Sequence, residues 1–261
     1  MFNKISFFVC LLLSQGLFAY ENPFKGIASA YLLEVDGEVK WAYNLEKKLQ
    51  PASLTKIMTA VIVLENTSSD EIIDVHRPFN NVKGAMIGIE RGEKYLRDDL
   101  LYAMLLQSAN DVCLLLGEHV AGNVSNFVNI MNKKALKLGM KNTKFKNPCG
   151  YDEMGHFSSA KDLSLLSRYA LKNKVFKQII ATKNKTISPV NKKDKNIALT
   201  NSNQLLFSYE GVYGVKTGST LKAGECLIVA VEKEGRSALL ILLNAANRFH
   251  KARQILDLAF N

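Results

Sequence analysis

The sequence predicts an α+β fold: an antiparallel β-sheet flanked by helices, with a mainly helical subdomain inserted. Short runs rich in β-formers lie near both ends of the chain, joined by tight-turn sequences that suit antiparallel pairs. Between them, apolar residues recur at helical spacing over a long stretch. Strands at both ends with helices between favour one sheet built from the two ends, which the helical block interrupts.

Residues 1–19 read as a secretory signal. Lys4 is their only charge, Ile5 to Leu13 is almost wholly apolar, and Leu17-Phe18-Ala19 offers a cleavage site before Tyr20-Glu21-Asn22. The apolar run is shorter than the ~20 residues a spanning helix needs, so cleavage is expected rather than anchoring. Ala28 to Val35, Asp36-Gly37 and Glu38 to Tyr43 form a hairpin pattern, Asp-Gly suiting the turn. Pro51 stops any helix before Ser53, and from about Ser53 to Glu65 most helical faces are apolar, which predicts a central helix. Leu100, Leu101, Met104 and Leu105 place a helix over Arg97 to Leu106. Further helices are predicted from Asn110 to Val120, ended by Ala121-Gly122, and from Val124 to Leu138, amphipathic and basic. Another runs from Ser158 to Asn173, where Ser158 or Ser159 caps the end and Asp162 lies in the first turn. Val212 to Thr217, Glu225 to Glu232 and Ala238 to Leu243 read as strands, with a turn at Lys233-Glu234-Gly235-Arg236. Lys251 to Phe260 closes as a helix whose Ile255, Leu256 and Ala259 pack on the sheet. One domain is expected over 20–261, its sheet part at about 28–65 and 180–261 and its helical part at about 66–179.

Charge, cysteines and histidines narrow the function classes. The formal net charge is +10, with lysines clustered in Lys133 to Lys146 and Lys183 to Lys195. Such a surface attracts anionic polymers or headgroups. No aromatic-plus-basic motif accompanies it, so a solvated basic face is expected and nucleic acid is not. Three cysteines survive processing: Cys113, Cys149 and Cys226. An odd number leaves at least one free thiol or an intermolecular pair. His76, His119, His156 and His250 show no ligand spacing. No metal, no other cofactor and no Ser-His-Asp triad is expected.

Three S-x-x-K matches remain, at Ser53–Lys56, Ser158–Lys161 and Ser219–Lys222. On a helix this spacing puts hydroxyl and amine on one face, a nucleophile beside a possible base. The second match reads as a helix cap. Two further motifs follow the first in order. Ser108-Ala109-Asn110 falls at a junction between helices, where side chains can enter a cleft. Lys216-Thr217-Gly218 falls on a predicted strand, where the lysine offers a charge, the threonine a hydroxyl and the glycine room for a substrate backbone. S-x-x-K, S-x-N and K-T-G in this order are the signature of serine penicillin-binding proteins and β-lactamases. The other two S-x-x-K matches fail the order.

The surrounding sequence resembles the D-alanyl-D-alanine carboxypeptidases, the low-mass penicillin-binding proteins. The likeness rests on Pro51 to Thr59, Leu105 to Asp111, Gly214 to Thr220, Ala223-Gly224 and Cys226-Leu227, with Asn147-Pro148, Gly150, Ser158 to Leu163 and Asn201 to Leu206. It covers about Ala28 to Phe260 and implies a β-lactamase/transpeptidase-like fold. By the resemblance, Ser53 is the nucleophile, Lys56 its base and Ser108 a proton relay. Asn110 holds a substrate amide, while Lys216 and Thr217 bind the terminal carboxylate. The amides of Ser53 and Ser219 form the oxyanion hole, and Arg248, just after the last strand, assists with the carboxylate. A lysine acts as a base near neutral pH only where burial or neighbouring cations favour its neutral form by about 4 kcal/mol. The implied partner is a peptidoglycan pentapeptide ending in D-Ala-D-Ala, with β-lactams as covalent inhibitors. Many relatives continue into a β-rich domain and a membrane anchor. None is evident after Phe260, so a soluble protein exported to the periplasm or wall space is expected. The competing readings are a serine β-lactamase, a D,D-endopeptidase and a non-enzymatic wall-binding protein on the same fold. The first is disfavoured because no E-x-x-L-N-like segment supplies a deacylating glutamate.

Overall fold

A computed structural model describes residues 22–79 and 82–260; the leader read at 1–19 lies outside the described residues. Asp36 and Gly37 both take positive φ, 52° and 87°, the geometry of a two-residue antiparallel turn. They join β1 (Ala30–Val35) to β2 (Glu38–Tyr43). A 3₁₀ turn at Ala52–Thr55 runs straight into α1 (Lys56–Asn66), which is buried over its first eight residues, Lys56 to Val63. A two-stranded pair, β3 (Ile72–Asp74) and β4 (Lys94–Leu96), brackets a long rim segment. The helical block follows: α2 (Arg97–Leu106), α3 (Asn110–Ala121), α4 (Val124–Lys137), α5 (Ala160–Leu171) and α6 (Lys174–Ala181). Ser159 is the cap of α5, accepting from Asp162 N at 3.2 Å, while Lys161 pairs with Glu46. That disposes of Ser158–Lys161 as a catalytic pair.

A second hairpin, β5 (Asn184–Ile187) with β6 (Ile197–Thr200), and a short α7 (Leu205–Ser208) precede the return to the main sheet. β7 (Val212–Thr220), β8 (Gly224–Lys233), β9 (Arg236–Leu243) and α8 (Arg248–Phe260) complete the chain. The sheet order is β2-β1-β9-β8-β7, antiparallel throughout. The N-terminal hairpin thus joins the C-terminal strands, as the sequence predicted.

Side chains alternate across the pleat. One face of the sheet, with Leu32, Ile228 and Ile241, belongs to the core shared with α1 to α6. The other, with Leu33, Leu227, Val229 and Leu240, packs on Ala252, Ile255, Leu256 and Ala259 of α8. Being covered on both faces, β1 is buried at every position. Its one charge, Glu34, is paired with Arg168 Nη1 at 3.0 Å. The edge strand β7 faces the 3₁₀ turn and α6, and this edge carries the Lys216-Thr217-Gly218 motif.

Candidate active site

Ser53 lies in the 3₁₀ turn and Lys56 opens α1, so the two side chains stand one turn apart on the same face. Lys56 is fully buried, and its Nζ donates to Ser53 Oγ at 3.0 Å, Asn110 Oδ1 at 2.7 Å and the Cys149 carbonyl at 2.7 Å. These three acceptors occupy all the donors of an ammonium group, and a buried cation is tolerable only when so partnered. The turn is braced from behind by His156. Lys146 N donates to His156 Nδ1 at 3.2 Å, leaving Nε2 to donate to Thr55 Oγ1 at 3.0 Å. Burial pushes the His156 pKa down to about 4, against a weaker opposing pull from Glu153 and Asp152.

Ser108 and Asn110 come from the joint between α2 and α3. Ser108 takes a left-handed conformation with φ 63°, uncommon for a residue with a Cβ. Its Oγ is shielded from water and makes no hydrogen bond among the described residues, a costly state for a hydroxyl and one that leaves it open to a bound group. Asn110 is shared: its Oδ1 takes Lys56, while its Nδ2 donates to the Lys83 carbonyl at 2.7 Å.

β7 is the opposite wall. A Cβ at Gly218 would lie 2.9 Å from Ser53 N and 3.0 Å from Ala52 Cβ. The glycine therefore lets the strand reach the nucleophile's own turn. Gly218 also lines the cleft, where the sequence reading expects it to leave room for a substrate backbone. Lys216 is 1% exposed and donates to the Thr217 carbonyl at 3.1 Å. Its pKa is held well below the ordinary lysine range, first by burial, then by the Lys56 and Arg248 cations. Thr217 Oγ1 lies 2.7 Å from Ser202 Oγ. Arg248 opens α8 and sends Nη1 to the Gly218 carbonyl at 2.7 Å and the Cys226 carbonyl at 3.4 Å. Burial lowers its pKa too.

All nine predicted residues converge. Ser53, Ser108, Asn110, Thr217, Gly218, Ser219 and Arg248 line one cleft of about 980 Å³, with Lys56 and Lys216 buried behind its two walls. The partners of Lys56, Lys216 and Arg248 named above are hydroxyl, amide and carbonyl oxygens. Three clustered cations without a carboxylate among those partners make the cleft a place for an anion. The sequence reading did not select the Cys149 carbonyl, Ser202, His156 or the Lys83 rim. Ser202 sits inside the stretch Asn201 to Leu206 that carries the resemblance; the Cys149 and Lys83 contacts are backbone carbonyls, which no side-chain pattern discloses. Among the described residues, Cys113, Cys149 and Cys226 are free and buried, and no His, Cys, Asp and Glu cluster could hold a metal.

A serine held against a lysine at the mouth of a buried helix, facing a lysine-threonine-glycine strand, defines a serine acyl-transfer enzyme. The chain belongs to the D-alanyl-D-alanine carboxypeptidase family of serine peptidases, whose model matches residues 26–247. It is 34% identical over 242 residues to the D-alanyl-D-alanine carboxypeptidase DacF of Bacillus subtilis, covering 89% of this chain but 62% of that protein. The chain spans 58% of DacC of Escherichia coli, at 33% identity. Among solved structures, the Streptomyces K15 DD-transpeptidase superposes with a TM-score of 0.82 at 28% identity, covering 90% of this chain and 97% of that one. Penicillin-binding protein D2 of Listeria monocytogenes, solved with ampicillin bound, gives 0.77 at 32% identity, with coverage of 90% and 98%.

Proposed function

We propose that this protein is an exported serine-type D-Ala-D-Ala carboxypeptidase that removes the terminal D-alanine from peptidoglycan stem peptides. The observation that carries this reading is Ser53 Oγ, 3.0 Å from Lys56 Nζ, open to a cleft whose far wall carries Thr217 and Arg248, with Lys216 buried behind it. The terminal carboxylate of the substrate sits by Thr217, where Lys216 and Arg248 gain a counter-charge in a water-poor site. Lys56 Nζ becomes the base on releasing the proton it directs at Ser53 Oγ; Ser53 Oγ then attacks the carbonyl carbon of the penultimate D-alanine and gives its own proton to Nζ. The oxyanion is held by the amides of Ser53 and Ser219. The C–N bond breaks, and the leaving amine takes a proton from Lys56 through Ser108, whose hydroxyl has no competing partner. Asn110 fixes Lys56 and offers its amide to the peptide. Water repeats the sequence on the ester, releasing the shortened peptide and restoring Ser53.

Relatives named carboxypeptidase and a neighbour solved with ampicillin support the substrate and the inhibitor class. The site in this reading is the periplasm or wall space, on the strength of the apolar residues 5–13; N-terminal sequencing of the exported protein tests it. Purified protein incubated with a peptide ending in D-Ala-D-Ala should release D-alanine, and labelled penicillin should attach to Ser53. Ser53→Ala should remove both. Release that survives in Ser53→Ala would overturn the reading.

A further inference from the structure

We infer that Asp111 is a positioning residue for the cleft, acting by holding the Val82–Ile89 rim against Asn110; the role rests on the carboxypeptidase reading. The segment between β3 and β4 supplies a wall of the cleft through Val82, Lys83, Gly84 and Ala85. Two consecutive residues at the start of α3 tie it down. Asn110 takes its carbonyls: Asn110 N donates to the Ala85 carbonyl at 2.7 Å and Nδ2 to the Lys83 carbonyl at 2.7 Å. Asp111 takes its amides. The carboxylate, in a residue 1% exposed, accepts from Ile87 N at 3.2 Å, Gly88 N at 2.9 Å and Ile89 N at 3.2 Å, and from Val112 N at 2.9 Å in its own helix. A buried carboxylate in the first helical turn, met by four backbone donors, is well satisfied without any cation.

The consequence reaches the chemistry through Asn110. Its one side chain bridges the rim carbonyl and Lys56 Nζ, so a rim that slides carries the amide with it. Gly84 shows how close the fit is: it sits at φ 81°, and a Cβ there would lie 2.8 Å from Asn110 Nδ2. Asn110 is therefore held on three sides, by Lys56, by the Lys83 carbonyl and by Gly84.

Asp111→Asn keeps the shape but turns a donor towards amides that need an acceptor. The rim should loosen, and a displacement of even 1 Å can cost about a hundred-fold in rate. The test is steady-state D-alanine release by Asp111→Asn and Gly84→Ala, normalised to the fraction of Ser53 that labelled penicillin acylates. We expect kcat/KM per acylable serine to fall about ten-fold or more in both, chiefly through a raised KM. A purely structural role would lower the melting temperature and the acylable fraction but leave KM per active site unchanged; that result in Asp111→Asn overturns the inference. Should Asp111→Asn fail to fold, Gly84→Ala decides, because its backbone is exposed at the rim, and an unchanged KM there overturns it equally. An unmutated chain that acylates but releases no D-alanine would instead sink the functional reading beneath it.

Discussion

Gly218 is where the two walls of the cleft touch, and a single methyl there has nowhere to go. The atom it would meet at 2.9 Å is the backbone nitrogen of Ser53, not the end of a flexible side chain. Gly218→Ala must therefore push either β7 or the nucleophile's turn outward by a few tenths of an ångström. Penicillin acylation of Ser53 should slow about ten-fold or more, measured as the second-order rate of label incorporation; an unchanged rate would show that the wall contact has no bearing on the nucleophile. At this scale the sequence told much, because S-x-x-K, S-x-N and K-T-G are side-chain patterns whose order survives in one dimension. It told less about why each residue is present. Gly218 packs against the nucleophile's turn as well as lining the cleft, and Lys56 depends on the carbonyl of Cys149, a residue notable in the sequence only for its thiol.

The Ser53–Lys56 turn depends on an element outside itself, the segment leading into α5. His156 from that segment is neutral, with Nδ1 accepting from Lys146 N and Nε2 facing Thr55. Its pKa is about 4 in the folded chain, against ~6.5 for an unfolded histidine. The folded pKa is depressed, so the unfolded state binds the proton first as pH falls. Stability is intact above about pH 6.5 and declines between there and about 4, by about 3 kcal/mol at the limit. Thermal unfolding of the purified protein at steps from pH 7 to 4 should show this slope, and His156→Gln should flatten it. An equal slope in the variant would place the acid sensitivity elsewhere. Elements were legible in proportion to their length and periodicity. α2 runs over Arg97–Leu106 as predicted, and β7, β8 and β9 each extend a little past the predicted runs. The helix α6, the pairs β3–β4 and β5–β6, with strands of three or four residues, and the single turn of α7 went unpredicted. Strands that short show no period; tertiary contacts make them, such as Val190 N to the Lys94 carbonyl at 2.7 Å. α8 starts at Arg248, three residues before Lys251, because Arg248 N is held by Glu225 Oε2 at 3.0 Å across the molecule.

The whole molecule sets what happens after acylation. Its two halves meet at the cleft: α2, α3 and the rim bring Ser108, Asn110 and Lys83, while β7 brings Lys216 to Ser219 and α8 brings Arg248. That joining predicts different fates for two acyl-enzymes. On the carboxypeptidase reading proposed above, a peptide loses D-alanine, which diffuses away and opens the Ser108 and Lys56 side of the carbonyl to water. A β-lactam keeps its leaving amine tethered by the opened ring, so the same space stays filled. Escape then needs a second base on the other face. Among the described residues lining the cleft, Asp152 alone carries a carboxylate, and both its oxygens are engaged, by Thr220 Oγ1 and by Lys222 N. It is tied to the β7–β8 turn and not free to activate water. A chromogenic cephalosporin should therefore give a burst of one equivalent per active serine followed by slow turnover, while D-alanine release from peptide proceeds through many cycles. Sustained cephalosporin hydrolysis at the peptide rate would mean that the cleft recruits a base from outside this set, and the β-lactamase reading would replace the carboxypeptidase one.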